Sequence, residues 1–258
     1  MVRQMKPSSE NMVLLYINSP CVVVGKNQCI YREVNFNYLR DQSPVVRRIS
    51  GGGTVYHDEG NLCFAFLSRF DESKVNNYKY FNQPILDILQ RAGIDAQFND
   101  RNDILWDGKK ISGNAQFTDR KNILSHGTIL VNSNIDKLRY ALKENPFTIE
   151  TKAVSSVRSS VMNVSEKSDR FKTAQELKEH LIKELPITDT ISLSDEQWAM
   201  ITESADTKFR SFDWIWGRNP LTKITSGHMM IEIENGVVIN SSDKTLLGQI
   251  YDSSMWDK

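Results

Sequence analysis

Cysteine is scarce in this 258-residue sequence: Cys21, Cys29 and Cys63 are an odd number with no CxxC spacing. That excludes a disulfide framework and a thiolate zinc site, and it fits a reducing, cytoplasmic compartment. An excess of either charge is missing too, because Lys plus Arg and Asp plus Glu both total 32 and the formal net charge is zero. No global field draws in nucleic acid or an anionic membrane, so any anion site is local. Apolar runs stay well short of the ~20 residues that span a bilayer. The opening MVRQMKPSSE has no apolar stretch of a secretory signal. Only 7 prolines occur, and repeats, low-complexity segments and the phosphate-loop pattern GxxxxGK[ST] are absent. A disordered or collagen-like chain, a solenoid and a P-loop enzyme are all excluded.

What is present is an ordinary soluble composition, 40% hydrophobic and 25% charged, long enough for one large α/β domain with a small appendage. MVLLYI and CVVV flank Asn18-Ser19-Pro20 as two strands about a turn, and VVRRIS, GGG, TVYHDEGN and LCFAFL run as strand, glycine loop and strand. Residues 80–92 set Phe81, Ile85, Leu86, Ile88 and Leu89 at helical spacing, with Gly93 as the cap. Asp107-Gly108 and Asn235-Gly236 are dipeptides for hairpin turns with positive φ. ILSHGTILV forms a strand over 123–131 and Asp136 to Leu142 a short helix, while Thr173-x-x-Glu176 and Ser194-x-x-Gln197 open two further helices as capping boxes. An aromatic connector, FRSFDWIWGRNP, precedes a boundary near residue 220.

Three segments carry chemistry. In RRISGGGTVYHD, three glycines beside Arg47 and Arg48 combine open backbone amides with guanidinium forks, a local cradle for a phosphate or carboxylate. A ligand-free glycine bulge with surface arginines is as good a reading on composition alone. His57 suits hydrogen bonding to a ligand, and Asp58 suits bracing the loop. In NDILWDGKKISGNA, one of two adjacent strand lysines points inward and is followed by small residues; a solvated lysine pair is the plainer alternative. Asp103 is placed either to help hold Mg²⁺ or to cap a turn. His126-Gly127-Thr128 interrupts an apolar strand, where a glycine marks close approach of a ligand or a histidine sits satisfied in the core. Cys63, in an apolar alternation, reads as inert, and Trp214 and Trp216 read as packing residues.

Taken in order and at these separations, RRISGGGTVYHDEGN, RNDILWDGKKISGNAQ and HGTILVN resemble the lipoate–protein ligase A family over residues 12–165, and FDWIWGRNP resembles that family's link to an accessory domain. The resemblance implies an α/β fold of the α+β type. Its mixed, mostly antiparallel sheet is flanked by helices, as in class II aminoacyl-tRNA synthetases and biotin ligases, and ends here in a short C-terminal β-hairpin appendage. It implies a catalytic part over 1–208, a connector over 209–220 and a shortened accessory segment over 221–258. The implied activity uses ATP, Mg²⁺ and lipoate to form lipoyl-AMP and acylates a lysine of lipoyl domains, those of 2-oxoacid dehydrogenase E2 subunits and the glycine cleavage H protein. Lys110 takes the catalytic position. Arg48, Ser50, Gly51, Gly52, Gly53, His57 and Asn61 serve the acyl and phosphate site; Asn102, Asp103, Gly127 and Thr128 serve the adenylate, with Asp103 also as metal ligand. Two other readings of the same fold are an octanoyl or lipoyl transferase using a cysteine thioester and a non-catalytic lipoyl-adenylate-binding protein. The sequence departs from the family where only about a dozen residues precede LLYINSP, where Cys29 replaces the usual asparagine, and where residues 221–258 fall short of the accessory domain.

Overall fold

The computed structural model describes residues 11–41 and 44–256; the opening MVRQMKPSSE, which lacks the apolar stretch of a secretory signal, lies outside them. The strands are β1 (Met12–Ile17), β2 (Cys21–Val24), β3 (Val45–Arg47), β4 (Val55–His57), β5 (Asn61–Arg69), β6 (Ala96–Phe98), β7 (Ile104–Trp106), β8 (Lys109–Thr118), β9 (Asn122–Leu130), β10 (Thr148–Thr151), β11 (Thr222–Ser226), β12 (Met229–Glu234) and β13 (Val237–Ser241). The α-helices are α1 (Ile30–Glu33), α2 (Phe36–Arg40), α3 (Tyr78–Arg91), α4 (Ile135–Ala141), α5 (Ala174–Glu184), α6 (Asp195–Ser204) and α7 (Phe212–Ile215).

Two compact units interleave along the chain, one from residues 1–20, 57–135 and 158–201, the other from 21–56, 136–157 and 202–258. The first is built on a six-stranded antiparallel sheet ordered β1-β5-β9-β8-β7-β6. Local chemistry sets its hairpins: Asp107 and Gly108 take φ of 47° and 72°, the left-handed pair that a two-residue turn between β7 and β8 requires. Helix α3 ends at Gly93, φ 86°, as its spacing predicts. Helix α5 opens with the predicted capping box, Glu176 N–H to Thr173 Oγ1 at 3.2 Å and Thr173 N–H to Glu176 Oε2 at 3.0 Å. Both helices put apolar residues onto one sheet face, where Leu62, Phe64, Ile85, Leu89, Ile104, Ile129, Leu177 and Leu181 are fully buried. Each such side chain contributes about 1.5–3 kcal/mol by leaving water.

The second unit has a four-stranded antiparallel sheet, β10-β11-β12-β13, and a three-stranded sheet, β3-β2-β4, in which β2 and β3 run parallel. The sheets are thus mixed and mostly antiparallel, as expected. The late hairpin turns at Asn235-Gly236, φ 50° and 80°. Yet residues 221–258 do not form a compact unit of their own: β11 pairs with β10, which comes from residues 148–151, and Ile224, Ile231, Ile233 and Val238 pack with Tyr31, Phe36 and Tyr251. The connector tryptophans are packing residues: Trp214 is buried and donates from Nε1 to the Arg47 carbonyl at 2.7 Å, and Trp216 stacks on Tyr31 with centroids 6.0 Å apart.

Candidate active site

In the first unit the candidate site residues lie on the sheet face opposite α3 and α5. Strand β8 begins with the two lysines; Lys109 is exposed and Lys110 is turned in, its side chain 25% exposed. Main-chain bonds pin Lys110, whose N–H donates to Ser160 O at 2.9 Å and whose carbonyl accepts from Met162 N–H at 3.2 Å. The aliphatic stem folds back over Gly113, where a Cβ would come within 2.8 Å of both Cε and Nζ. Glycine at 113 leaves the room that the end of the lysine side chain occupies. Its ammonium lies 2.8 Å from Asp103 Oδ1, while the other Asp103 oxygen accepts from Asn99 Nδ2 at 3.4 Å. Asn102 has φ of 62°, and its carbonyl accepts from Asn114 Nδ2 at 2.9 Å, which holds the turn that presents Asp103.

Register then locates the neighbours. Gly113, Thr128 and Cys63 stand opposite one another across β8, β9 and β5, a row about 10 Å wide, continued on β1 by Tyr16. His57 Nδ1 is 3.7 Å from Cys63 Sγ, and Asn61 Nδ2 donates to the same sulfur at 3.4 Å. Asn18 Nδ2 lies 2.9 Å from His57 Nδ1. An amide nitrogen can only donate, so with this amide orientation Nδ1 accepts and Nε2 carries the proton of the neutral ring. Lys110, Thr128, Asn61 and His57 thus share one face. Gly127 does not: a Cβ there would meet Asn114 Oδ1 at 2.2 Å and Phe64 Cζ at 2.5 Å, on the opposite, core side. Close packing of the core explains this glycine, rather than the approach of a ligand. Asp58 is structural, but it braces the turn before β5 and the chain after β9 rather than the glycine loop, taking Gly60 N–H at 3.0 Å and Asn134 N–H at 2.8 Å.

In the second unit the glycine loop is built around Arg48. Its guanidinium donates to the carbonyls of Gly51 (2.7 Å) and Gly53 (2.7 Å) from Nη2, to Val23 O (3.0 Å) from Nη1, and to Ser50 Oγ (3.2 Å) from Nε. A trans peptide holds C=O and N–H on opposite sides, so turning the Gly51 carbonyl toward Arg48 turns the Gly52 N–H away from it. Among the described residues the amides of Gly51, Gly52 and Gly53 donate to no protein acceptor. Gly52 has φ of 89°, which demands glycine, and a Cβ on Gly51 would meet nothing within 4 Å. The result is a ring of carbonyls facing inward and amides left open, the arrangement that binds anions.

Charge acts in the same direction. Arg47 is buried and donates to Gln28 O at 2.7 Å, Ile215 O at 2.9 Å and Asn219 Oδ1 at 2.8 Å. Burial lowers the Arg48 guanidinium to about 10, still cationic at neutral pH. Neither arginine pairs with a carboxylate among the described residues; neutral oxygens alone solvate both. Two positive charges without a counter-ion favour an anionic ligand at the loop. Three polar residues around these sites carried no signal in the sequence: Asn18 read only as a turn residue, and Glu33 and Ser156 sit in segments without periodicity. Ser156 Oγ nevertheless accepts from Thr54 N–H at 2.9 Å.

Residues 1–186 match the family model of the lipoyl protein ligase A/B catalytic domain. This chain belongs to that family. Among curated relatives, the lipoate-protein ligase LplJ of Bacillus subtilis is 38% identical over 85% of this chain and 68% of its own length. Lipoate–protein ligase 1 of Staphylococcus aureus is 40% identical over 83% of this chain and 66% of its own length. The chain thus spans about two thirds of the length of these two relatives. In structure, P. falciparum LipL1, solved in complex with lipoate, superposes with a TM-score of 0.65 at 26% identity, covering 96% of this chain and 80% of that one. A lipoate-protein ligase A bound with ATP shares the fold, with a TM-score of 0.70 at 23% identity over 83% of this chain and 88% of that one. The lysine face and the glycine loop both fall within the span of the family's catalytic domain.

Proposed function

We propose that this protein attaches lipoate to lysine in two steps. A lipoate carboxylate oxygen attacks the α-phosphorus of ATP, the bond to pyrophosphate breaks, and lipoyl-AMP forms. The uncharged ε-amine of an acceptor lysine then attacks the acyl carbonyl, the bond to AMP breaks, and the amine's proton passes to solvent. The observation that carries this reading is the inward Lys110, folded over Gly113 on the face it shares with Thr128, Asn61 and His57. Both steps develop negative charge on oxygen, and an ammonium held at such a face stabilises it.

The remaining roles follow from chemistry. The open amides of Gly51, Gly52 and Gly53 bind carboxylate or phosphate oxygens, with Arg48 and Ser50 holding the loop that presents them. His57, protonated at Nε2, and Asn61 offer neutral donors. Asn102 and Thr128 contact the nucleotide, and Gly127 sets the strand beside it. Beyond the Thr128 row the same sheet face carries Leu14, Ala65, His126 and Ala115 in one row and the apolar Met12, Leu67, Leu124 and Phe117 in the next, a mainly apolar surface that suits an aliphatic acyl chain. No cluster of three or more metal-ligating side chains occurs among the described residues. Mg²⁺ keeps waters and phosphate ligands and needs one or two carboxylates; Asp103 would supply one, and the metal would neutralise phosphate charge. Acceptors are lipoyl domains of E2 subunits and the glycine cleavage H protein, in the cytoplasm.

A cysteine-dependent transferase finds no support in the thiols. Burial raises the Cys29 thiol and lifts Cys21 to about 11, so neither is an activated thiolate, and Cys63 is buried. The test is mass spectrometry of a purified lipoyl domain after incubation with this protein, lipoate, ATP and Mg²⁺. A lipoyl mass increment that needs all four supports the proposal; modification from an acyl thioester without ATP would reject it in favour of transfer.

A further inference from the structure

The peptide between Gly53 and Thr54 is gripped from both sides. Arg48 Nη2 donates to the Gly53 carbonyl at 2.7 Å, and on the other side the Thr54 N–H donates to Ser156 Oγ at 2.9 Å. Ser156 Oγ also accepts from Gln28 Nε2 at 2.9 Å, and its hydroxyl bonds Glu33 Oε2. Glu33 is buried, 7% exposed in its side chain, and its two oxygens also take the Ser156 N–H at 3.2 and 3.3 Å. Gln28 completes the ring: its Oε1 accepts from Gly25 N–H at 2.9 Å and from the Thr54 hydroxyl at 2.8 Å.

Directions in this ring are forced. A carboxylate only accepts, so the single hydroxyl proton of Ser156 goes to Glu33, and the serine oxygen is left as a pure acceptor toward the loop. A flipped Gly53–Thr54 peptide would set the Gly53 carbonyl against that acceptor and the Thr54 N–H against the guanidinium donors. Both contacts would be repulsive. Without the carboxylate, the serine proton could rotate and accommodate the flipped carbonyl. Packing leaves little slack, since a Cβ at Gly53 would lie 3.1 Å from Ser156 Oγ.

We propose that Ser156, oriented by Glu33, is a positioning residue that locks the Gly53–Thr54 peptide and with it the ligand-binding form of the glycine loop. The proposal rests on the reading of that loop as an acyl or phosphate site. It assigns to Glu33 a function that charge, and not shape, performs.

The test uses the full chain with Ser156→Ala and the isosteric Glu33→Gln. Lipoate affinity is read by calorimetry, steady-state kinetics separate KM from kcat, and hydrogen–deuterium exchange follows the amides of residues 51–54. Loss of one buried hydrogen bond should weaken lipoate binding about tenfold in Ser156→Ala, with KM rising and kcat changing less than about twofold. Exchange at 51–54 should quicken, Glu33→Gln should move every readout the same way by less, and the double variant should be no worse than Ser156→Ala. Wild-type lipoate affinity in both single variants overturns the lock. Should Ser156→Ala fail to fold, Glu33→Gln carries the same decision. Should the wild type itself bind no lipoate, the proposed function falls while the lock is still decided: faster exchange at 51–54 in the variants upholds it, and unchanged exchange overturns it.

Discussion

The glycine loop and Lys110, the lysine proposed to be catalytic, are held in opposite ways. At the loop, Arg48 fastens two glycine carbonyls, Ser156 and Gln28 fasten Thr54, and Gly25 packs so tightly that a Cβ there would come 2.2 Å from Gly52 O. At Lys110 the main chain is pinned, but the ammonium has one ion pair, to Asp103, at the end of an aliphatic stem. Directional binding of an anion benefits from amides set before the ligand arrives, because no ordering cost remains. A charge that must follow negative oxygens through two successive steps benefits from a stem that can move. In the proposed reaction the loop is a template and the lysine a charge on a tether.

The comparison breaks most sharply at the lysine. Lys110→Ala should lower kcat/KM for lipoyl transfer by roughly 100- to 1,000-fold while the thermal midpoint stays put, since the side chain is partly exposed and its pairing with Asp103 contributes little stability. Activity near the wild-type level in a lipoylation assay would remove Lys110 from the mechanism. Arg48→Ala should do the reverse. The carbonyls of Val23, Gly51 and Gly53 would lose their donor, so urea unfolding should show roughly 2–4 kcal/mol less stability, with lipoate affinity falling alongside. A variant as stable as wild type would mean that the loop does not need its guanidinium hub.

Much of this contrast was legible before the fold was known, and the part that was not has a common cause. Asp107-Gly108 and Asn235-Gly236 read correctly because turn chemistry is local: the φ each needs is a property of those two residues. Lys110 was legible as one of a pair on a strand, where alternation sends one side chain inward. The partners of the loop were not, because Glu33 and Ser156 are 123 residues apart and neither lies in a periodic stretch. The pairing of β10 with β11, between residues 148–151 and 222–225, was likewise hidden by separation along the chain, and with it the interleaving of the two units. Gly127 was legible as a special position but not as to why, since a missing side chain looks alike whether a ligand or a neighbour fills the space.

That ambiguity gives the next test. Gly127→Ala drives a methyl into Asn114 and Phe64 and should cost about 1–3 kcal/mol in stability. Gly51→Ala meets nothing within 4 Å, so its unfolding midpoint should change by less than about 0.5 kcal/mol, yet a methyl over the open amides should weaken lipoate binding. Equal stability losses in the two variants would show that the space above Gly51 is not open.

The smallest effect is expected at Cys21, and it sharpens the comparison by asking whether the acyl group passes through a thiol at all. Burial raises this thiol to about 11. A raised thiol pKa means that the neutral form dominates at every pH below it, so alkylation by iodoacetamide should be slow at pH 7 and should accelerate as the pH climbs toward 11. A transferase that carried its acyl group on this sulfur would need the thiolate at neutral pH and would die on alkylation. The Cys21→Ser variant should therefore lipoylate within about twofold of wild type, as removal of a residue outside the reaction path does. Loss of turnover in that variant, together with rapid alkylation at pH 7, would move the acyl group from an adenylate to a thioester and leave the glycine loop as a template for a different reaction.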